Sequence, residues 1–219
     1  MIKLINTSKI YDKNVVALDA VNIEFKEGEL IVLKGVSGSG KSTILSLIAG
    51  LIKPTTGEVL VNEKKISKIA DHFVSSFRQE NIGFVFQKYN LINTLSVAEN
   101  ILLPLVPLNL TKVELKSRLE NVLKLFDIED KKDTLVKNLS GGEQQRTAIA
   151  RANINSPKII LADEPTANLD EKLSLEFIDI LKELKSQKRT IILATHDPLF
   201  FELDFVDKVI QVKNGQIIS

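Results

Sequence analysis

Between Gly35 and Thr43 the chain reads GVSGSGKST, a run of glycines, hydroxyl residues and one lysine at a spacing suited to phosphate chemistry. Gly35, Gly40, Lys41 and Ser42 fit the phosphate-loop pattern, in which small residues let backbone N–H groups approach a polyphosphate. Ser37, Gly38, Ser39 and Thr43 complete the contacting loop, Lys41 supplies a mobile cation for the terminal phosphates, and the Ser42 hydroxyl can ligate magnesium. Such a loop works only when it runs from a strand into a helix N-terminus, whose dipole favours an anion. The flanks have that order: LIVLK reads as a buried strand and ILSLIAGLI as a core helix. The alternative, a glycine-rich turn that merely joins strand to helix, does not require the full pattern.

A second set of chemical residues follows other apolar runs. In KIILADEPTANLD, Ile159 to Ala162 reads as a buried strand with two adjacent acids, Asp163 and Glu164, at its end. Successive strand residues point in different directions, so Asp163 can hold magnesium while Glu164 faces an attacking water as general base. RTIILATHDP repeats the layout and brings Thr195, His196 and Asp197 to another strand end. There His196 can bond a γ-phosphate or position the water and Glu164, or simply cap the strand exit. NIGFVFQ reads as a strand ending in Gln87, within reach of magnesium or water if it emerges at the ligand crevice of an open sheet, and otherwise a strand-end cap. NLSGGEQQRTAIARANI reads as a helix N-capped by Ser140 with an accessible glycine pair behind it, either a second phosphate-binding helix end or one more capped helix. Tyr11 is an adenine platform or an ordinary exposed loop tyrosine.

The elements that must position these residues are partly visible. KLIN and VNIEF read as short strands, with little regular pattern from KIYDKN to ALDAV; KPTTGEVLVNEK reads as a turn and a hairpin-like strand. ISKIADHFVSSFRQE reads as a short helix with His72 on its polar side. From Tyr89 to about Asn138 a leucine-rich helical pattern replaces strands, with Leu115, Leu119, Val122, Leu123 and Phe126 on one face and Pro104 and Pro107 breaking the preceding segment into an irregular surface suited to docking another protein. A helix with Leu173, Phe177, Leu181 and Leu184 on one face follows the paired acids, and an Asn214-Gly215 turn joins the last two strands.

Bulk properties exclude more than they assign. The 219 residues are 44% hydrophobic, ordinary for one domain, and 29 basic against 28 acidic residues give no footprint for nucleic acid or an anionic membrane. No cysteine means no disulfide or thiolate metal site, which is compatible with a reducing cytoplasm. The N-terminus does not read as a secretory signal, and no apolar run reaches the roughly 18 residues of a spanning helix. Work at a membrane would need recruitment by a partner.

Taken together, the phosphate loop, FVFQ with Gln87, LSGGEQQR, IILADEP, ANLD ending at Asp170, and His196 resemble, in order, the motifs of the nucleotide-binding subunit of ATP-binding-cassette (ABC) transporters, across essentially the whole chain. The resemblance implies an α/β fold: a P-loop NTPase core with a mainly parallel sheet, an N-terminal antiparallel β subdomain and an inserted α-helical subdomain. It implies one domain over 1–219, with the β subdomain and nucleotide-binding core in 1–88 and 155–219 and the helical subdomain in 89–154. It implies an ATPase with Glu164 and His196 catalytic, Tyr11 and Gln87 joining the loop in binding ATP, and Ser42, Gln87 and Asp163 holding magnesium. Two copies would sandwich two ATP molecules head to tail, with Ser140, Gly141, Gly142 and Glu143 acting on the partner chain's ATP and Asp170 at the dimer seam. An integral membrane permease is the other implied partner, which would keep the chain cytoplasmic and peripheral on the inner face of the membrane; no nucleic acid is implied. The stretch IGFVFQKYNLINTLSVAENILLPL with DEPTANLD, and the short length, look like the branch serving lipoprotein release, macrolide export and antimicrobial-peptide export. Ala167, where that branch more often has glycine, and Asn153 and Asn155, in a usually more apolar segment, depart from it. Two other readings stay open on residues alone: a non-transport cassette ATPase of the DNA-repair or ribosome-associated type, and a regulatory module that binds ATP without turnover. The first usually carries long coiled-coil insertions or a second cassette; the second would lack an intact Glu164 or His196.

Overall fold

The sequence LIVLK, IILAD and TIILAT forms three adjacent parallel strands whose side chains are buried on both faces, as unbroken apolar strands require. A computed structural model describes residues 1–167 and 171–218, and within these the chain runs β1 (Ile2–Tyr11), β2 (Val15–Phe25), β3 (Leu30–Lys34), α1 (Lys41–Ile48), β4 (Thr56–Val61), β5 (Lys64–Lys65), α2 (Asp71–Asn81), β6 (Ile82–Val85), α3 (Val97–Leu102), α4 (Lys112–Leu125), α5 (Gly141–Asn153), β7 (Ile159–Asp163), α6 (Glu171–Ser186), β8 (Thr190–Thr195), β9 (Lys208–Lys213) and β10 (Gln216–Ile218). One sheet has the order β10-β9-β3-β8-β7-β6, parallel throughout except for the β9–β10 hairpin at its edge. The hairpin turns at Asn214 and Gly215, both at positive φ, the conformation that an Asn-Gly pair accepts. The other sheet is antiparallel, β2-β1-β4-β5.

Strand alternation divides the interior into two cores. Leu30, Val32, Ile160, Ala162, Ile191 and Leu193 point into one, with the apolar faces of α3 to α6; Ile31, Leu33, Ile159, Leu161, Ile192 and Ala194 point into the other, with α1 and the antiparallel sheet. The same registers align strand ends: Lys34 lies opposite Thr195, Asp163 opposite Ala194, and Val85 opposite Ala162. The residues that follow each strand therefore emerge along one edge, the crevice where open α/β sheets bind ligands.

Two expectations are corrected. The region from KIYDKN to ALDAV is not irregular: β1 continues to Tyr11 and β2 starts at Val15, with Tyr11 opposite Val15. Register shifts and positive φ at Asn6 and Ala20 mark bulges that break the period-two pattern, so the strands hide from a reading by alternation. β6 ends at Val85, and Gln87 stands exposed in the turn beyond it rather than as the strand's last residue.

Helices α3, α4 and α5 each begin with a capping box, Ser96 with Glu99, Thr111 with Glu114, and Ser140 with Glu143. Behind the Gln87 turn, the fully buried Asn100 side chain accepts from the Ile92 N–H at 2.8 Å and donates to the carbonyls of Ile92 and Ser96 at 3.0 Å each. Asn100→Ala leaves these backbone groups without partners in an apolar setting and is expected to lower unfolding stability by about 2 to 3 kcal/mol. A urea midpoint equal to wild type would show that water or a repacked loop replaces the side chain.

Candidate functional site

The loop after β3 is shaped by close approach. Gly40 has φ 110°, a region that side chains avoid, and a Cβ there would stand 2.6 Å from the Ala17 carbonyl oxygen. A Cβ on Gly35 would stand 2.3 Å from that of Val212. The loop is thus seated between β2 and the β9–β10 hairpin, and the Gly215 N–H donates to the Ser39 carbonyl at 2.9 Å. Unlike α3, α4 and α5, helix α1 has no side-chain cap, so its first-turn amides at Lys41, Ser42 and Thr43 are open to an anion. The Ser39 Oγ beside them is buried with no hydrogen-bond partner among the described residues, and the space around Gly38 is open.

Lys41 is buried; its Nζ donates to the Gly35 carbonyl at 2.6 Å and the Val36 carbonyl at 3.2 Å and lies 3.3 Å from Glu164 Oε1. The other oxygen of Glu164, Oε2, is 2.9 Å from His196 Nδ1 and 3.3 Å from the Thr195 hydroxyl, which donates to it. Glu164 sits at φ 44°, held there by its N–H bond to the Ala194 carbonyl at 2.8 Å. Backbone in this region costs about 1 to 3 kcal/mol and persists only where its surroundings hold it, a mark of functional positions.

The last residue of β7, Asp163, accepts a hydrogen bond from the Ser42 hydroxyl at 2.8 Å. Burial pushes its carboxyl above the usual range, the neighbouring Glu164 charge pushes the same way, and Ser42 and Lys41 oppose them. No cluster of three His, Cys, Asp or Glu able to hold a metal occurs among the described residues. A hydroxyl and one carboxylate fit magnesium, which keeps waters and takes phosphate oxygens as further ligands. Because the folded form of Asp163 holds its proton to higher pH than the unfolded form, its contribution to stability falls as pH rises above the ordinary carboxyl range. Asp163→Asn keeps an acceptor for Ser42 and removes the charge; without nucleotide or magnesium it is expected to raise the melting temperature, by more at about pH 7 than at about pH 4. A lower melting temperature at both would show that the charge is not the source of the cost.

A cavity of about 340 Å³ unites the predicted residues Tyr11, Ser37, Gly38, Ser39, Gly40, Lys41, Ser42, Thr43, Gln87, Glu164 and His196. Clefts of about 350 and 450 Å³ lie elsewhere and contain none of the loop from Ser37 to Thr43, Glu164 or His196, so size does not single out the site. Sequence reading missed its apolar wall: Val15 and Val16 are half exposed beside Tyr11, and Ala17 closes the floor. Exposed β-branched residues next to an aromatic were the available signal. Thr195, named only as a strand end, touches both Glu164 and the Asp197 N–H. Ser140, Gly141, Gly142 and Glu143 do not line this cavity. They start α5, where the Glu143 carboxylate accepts from the Ser140 N–H at 2.7 Å and pairs with Lys131 at 3.3 Å. Asp170 lies outside the described residues.

Residues 18–167 match the family model of the ABC transporter. The ATP-binding protein LolD of the lipoprotein-releasing system of Buchnera aphidicola is 38% identical over 100% of this chain and 97% of that protein. The macrolide export ATP-binding/permease protein MacB of Vibrio parahaemolyticus is 36% identical over 95% of this chain, which spans 32% of that longer protein. The ABC transporter ATP-binding protein MJ0796 of Methanocaldococcus jannaschii is 41% identical over 99% of this chain and 95% of its own. A dimeric structure of the MJ0796 cassette in a post-hydrolysis state bound to ADP and Pi superposes with a TM-score of 0.92 at 39% identity, covering 100% of this chain and 97% of that one. With the family model spanning most of the sequence and such relatives matching it from end to end, the chain belongs to the ABC transporter family and is one of its ATP-binding cassettes.

Proposed function

We propose that this chain is the ATP-hydrolysing subunit of a membrane transporter, acting as a head-to-tail pair in which two ATP molecules lie between two copies. The observation that carries the reading is the buried Glu164 carboxylate, held between Lys41 and His196 directly opposite the uncapped end of α1. The first-turn amides and Lys41 bind the polyphosphate, and Tyr11 with Val15 and Val16 takes the base. As Lys41 turns its donors from the loop carbonyls to phosphate oxygens, Glu164 Oε1 is released to accept a proton from the attacking water. His196 and Thr195 hold Oε2 and so fix the orientation of that base. Ser42, Asp163 and Gln87 would hold magnesium, which would supply positive charge to offset that of the polyphosphate.

The Ser140 end of α5, with Gly141, Gly142 and Glu143, serves the second copy's nucleotide, and Asp170 lies at the seam. The dimeric MJ0796 cassette supports pairing. Loss of the terminal phosphate removes contacts from both copies and favours opening, a population shift that a permease can follow. No helix among the described residues is long and apolar enough to cross a membrane, so these residues do not themselves supply the permease. Its docking place is the cleft of about 450 Å³ lined by Phe84, Phe86, Pro104, Pro107 and Ala152, between the 1–88 core and the 89–154 helical lobe. The names of the relatives LolD and MacB favour lipoprotein or macrolide-like cargo, while peptide cargo and a place on the inner face of the membrane rest on the motif resemblance.

Glu164→Gln is expected to lower ATP turnover by at least about 100-fold. It should still bind ATP and should elute as a dimer with ATP on a sizing column. Turnover equal to wild type would mean that Glu164 is not the base. Tyr11→Ala is expected to weaken ATP binding by about two- to tenfold with kcat little changed, the range for one aromatic contact. An unchanged dissociation constant would place the base elsewhere.

A further inference from the structure

Helix α5 leaves its own packing to grip two parts of the chain's nucleotide site. Gln145, 3% exposed, donates from Nε2 to the Pro165 carbonyl at 3.0 Å, one residue beyond Glu164. Arg151, further along the helix, donates to the Asn90 carbonyl at 2.7 Å and to that of Tyr89, closing the turn that Gln87 begins. Between them Arg146 pairs with Glu176 at 2.6 Å, fixing α5 against α6. The helix is therefore tied at separate points to the catalytic turn, to α6 and to the Gln87 turn.

The Pro165 contact matters because of what proline lacks. On its N-terminal side Glu164 is fixed by its N–H bond to Ala194. On the other side Pro165 has no N–H to offer, so the strained Glu164 backbone is held there through carbonyls. The Glu164 carbonyl accepts from the Ala167 N–H at 3.2 Å, and the Pro165 carbonyl accepts from Gln145. A buried carbonyl without its donor would gain by rotating, and rotation of the Pro165–Thr166 peptide would shift the turn whose Ala167 N–H holds the Glu164 carbonyl.

We propose that Gln145 is a positioning residue for Glu164, and that through it α5 joins the two ATP sites of a dimer. The end of α5 that meets the partner's nucleotide and the carboxylate that acts on the chain's own nucleotide are connected by one buried hydrogen bond. This rests on the reading above that Ser140 to Gly142 face the second copy.

Gln145→Met keeps the length and volume of the side chain and removes the donor. In the homodimer the ATP dissociation constant should stay within about twofold while kcat falls at least about tenfold. Unchanged kcat, or a loss confined to affinity, overturns the positioning role. Wild-type turnover should depend cooperatively on ATP and the variant's hyperbolically; a hyperbolic wild type overturns the coupling. Mixed dimers separate this from general loosening of α5. Pairing a Gly141→Asp chain, whose added acid repels the partner's phosphates, with a Lys41→Ala chain leaves one intact site, made from Glu164 of the first and the α5 end of the second. Recovery of turnover on mixing supports the shared site. No recovery overturns that reading and the coupling with it, while the homodimer measurement still decides the role of Gln145. Gln145→Met in the Gly141→Asp chain should lower the recovered turnover at least about tenfold, and in the Lys41→Ala chain less than about twofold. Equal losses in both chains would mean that the side chain only stabilises α5.

Discussion

Burying the Glu164 carboxylate would cost several kcal/mol without compensating charge and hydrogen bonds. The groups that compensate it come from distant parts of the chain: Lys41 from the start of α1, Thr195 and His196 from the end of β8. Only the register of the parallel sheet brings them together. A slip of β7 by one residue against β8 would move Glu164 away and exchange the faces of Ile160 and Leu161, which lie in different cores. The packing of both cores therefore protects the site against a shift that either core alone would resist less.

Much of this was legible because each chemical residue directly follows an apolar run, and an apolar run long enough for one buried strand has few alternatives. The strands β3, β7 and β8 and the residues after them were read from that pattern. The β1–β2 ribbon was not, since bulges at Asn6 and Ala20 disturb alternation and one side of the sheet is partly exposed. Gln145 and Arg151 were illegible for another reason. On a helix they read as polar positions, and only tertiary structure shows their side chains turned inward to the carbonyls of Pro165 and Asn90. Gln87 lines the cavity, but the strand before it ends two residues earlier than the apolar run suggests.

Asn153 and Asn155, which the motif resemblance marks as polar departures, have partners. The Asn153 side chain donates to the Ile149 carbonyl at 2.8 Å and accepts from Arg189 at 2.6 Å, which offsets the burial of that guanidinium. Asn155 accepts from Arg118 on α4 at 3.0 Å and donates to the Gln79 carbonyl on α2 at 3.1 Å, while the Gln79 side chain reaches the Pro104 carbonyl at 2.7 Å. Asn155 and Gln79 form a polar seam between α4, α2 and the turn at Pro104. Such a seam is directional, whereas apolar contact would let these elements slide.

The bare start of α1 has a consequence for the lifetime of the protein. Helices α3, α4 and α5 close their first turns with their own side chains, whereas α1 has no such cap and its first-turn amides are open to an anion. A ligand at a hundred times its dissociation constant adds about 2.7 kcal/mol to the folded state. Local fraying at the loop, and with it the exposure of this segment to proteases, then falls as the site fills with a polyphosphate ligand.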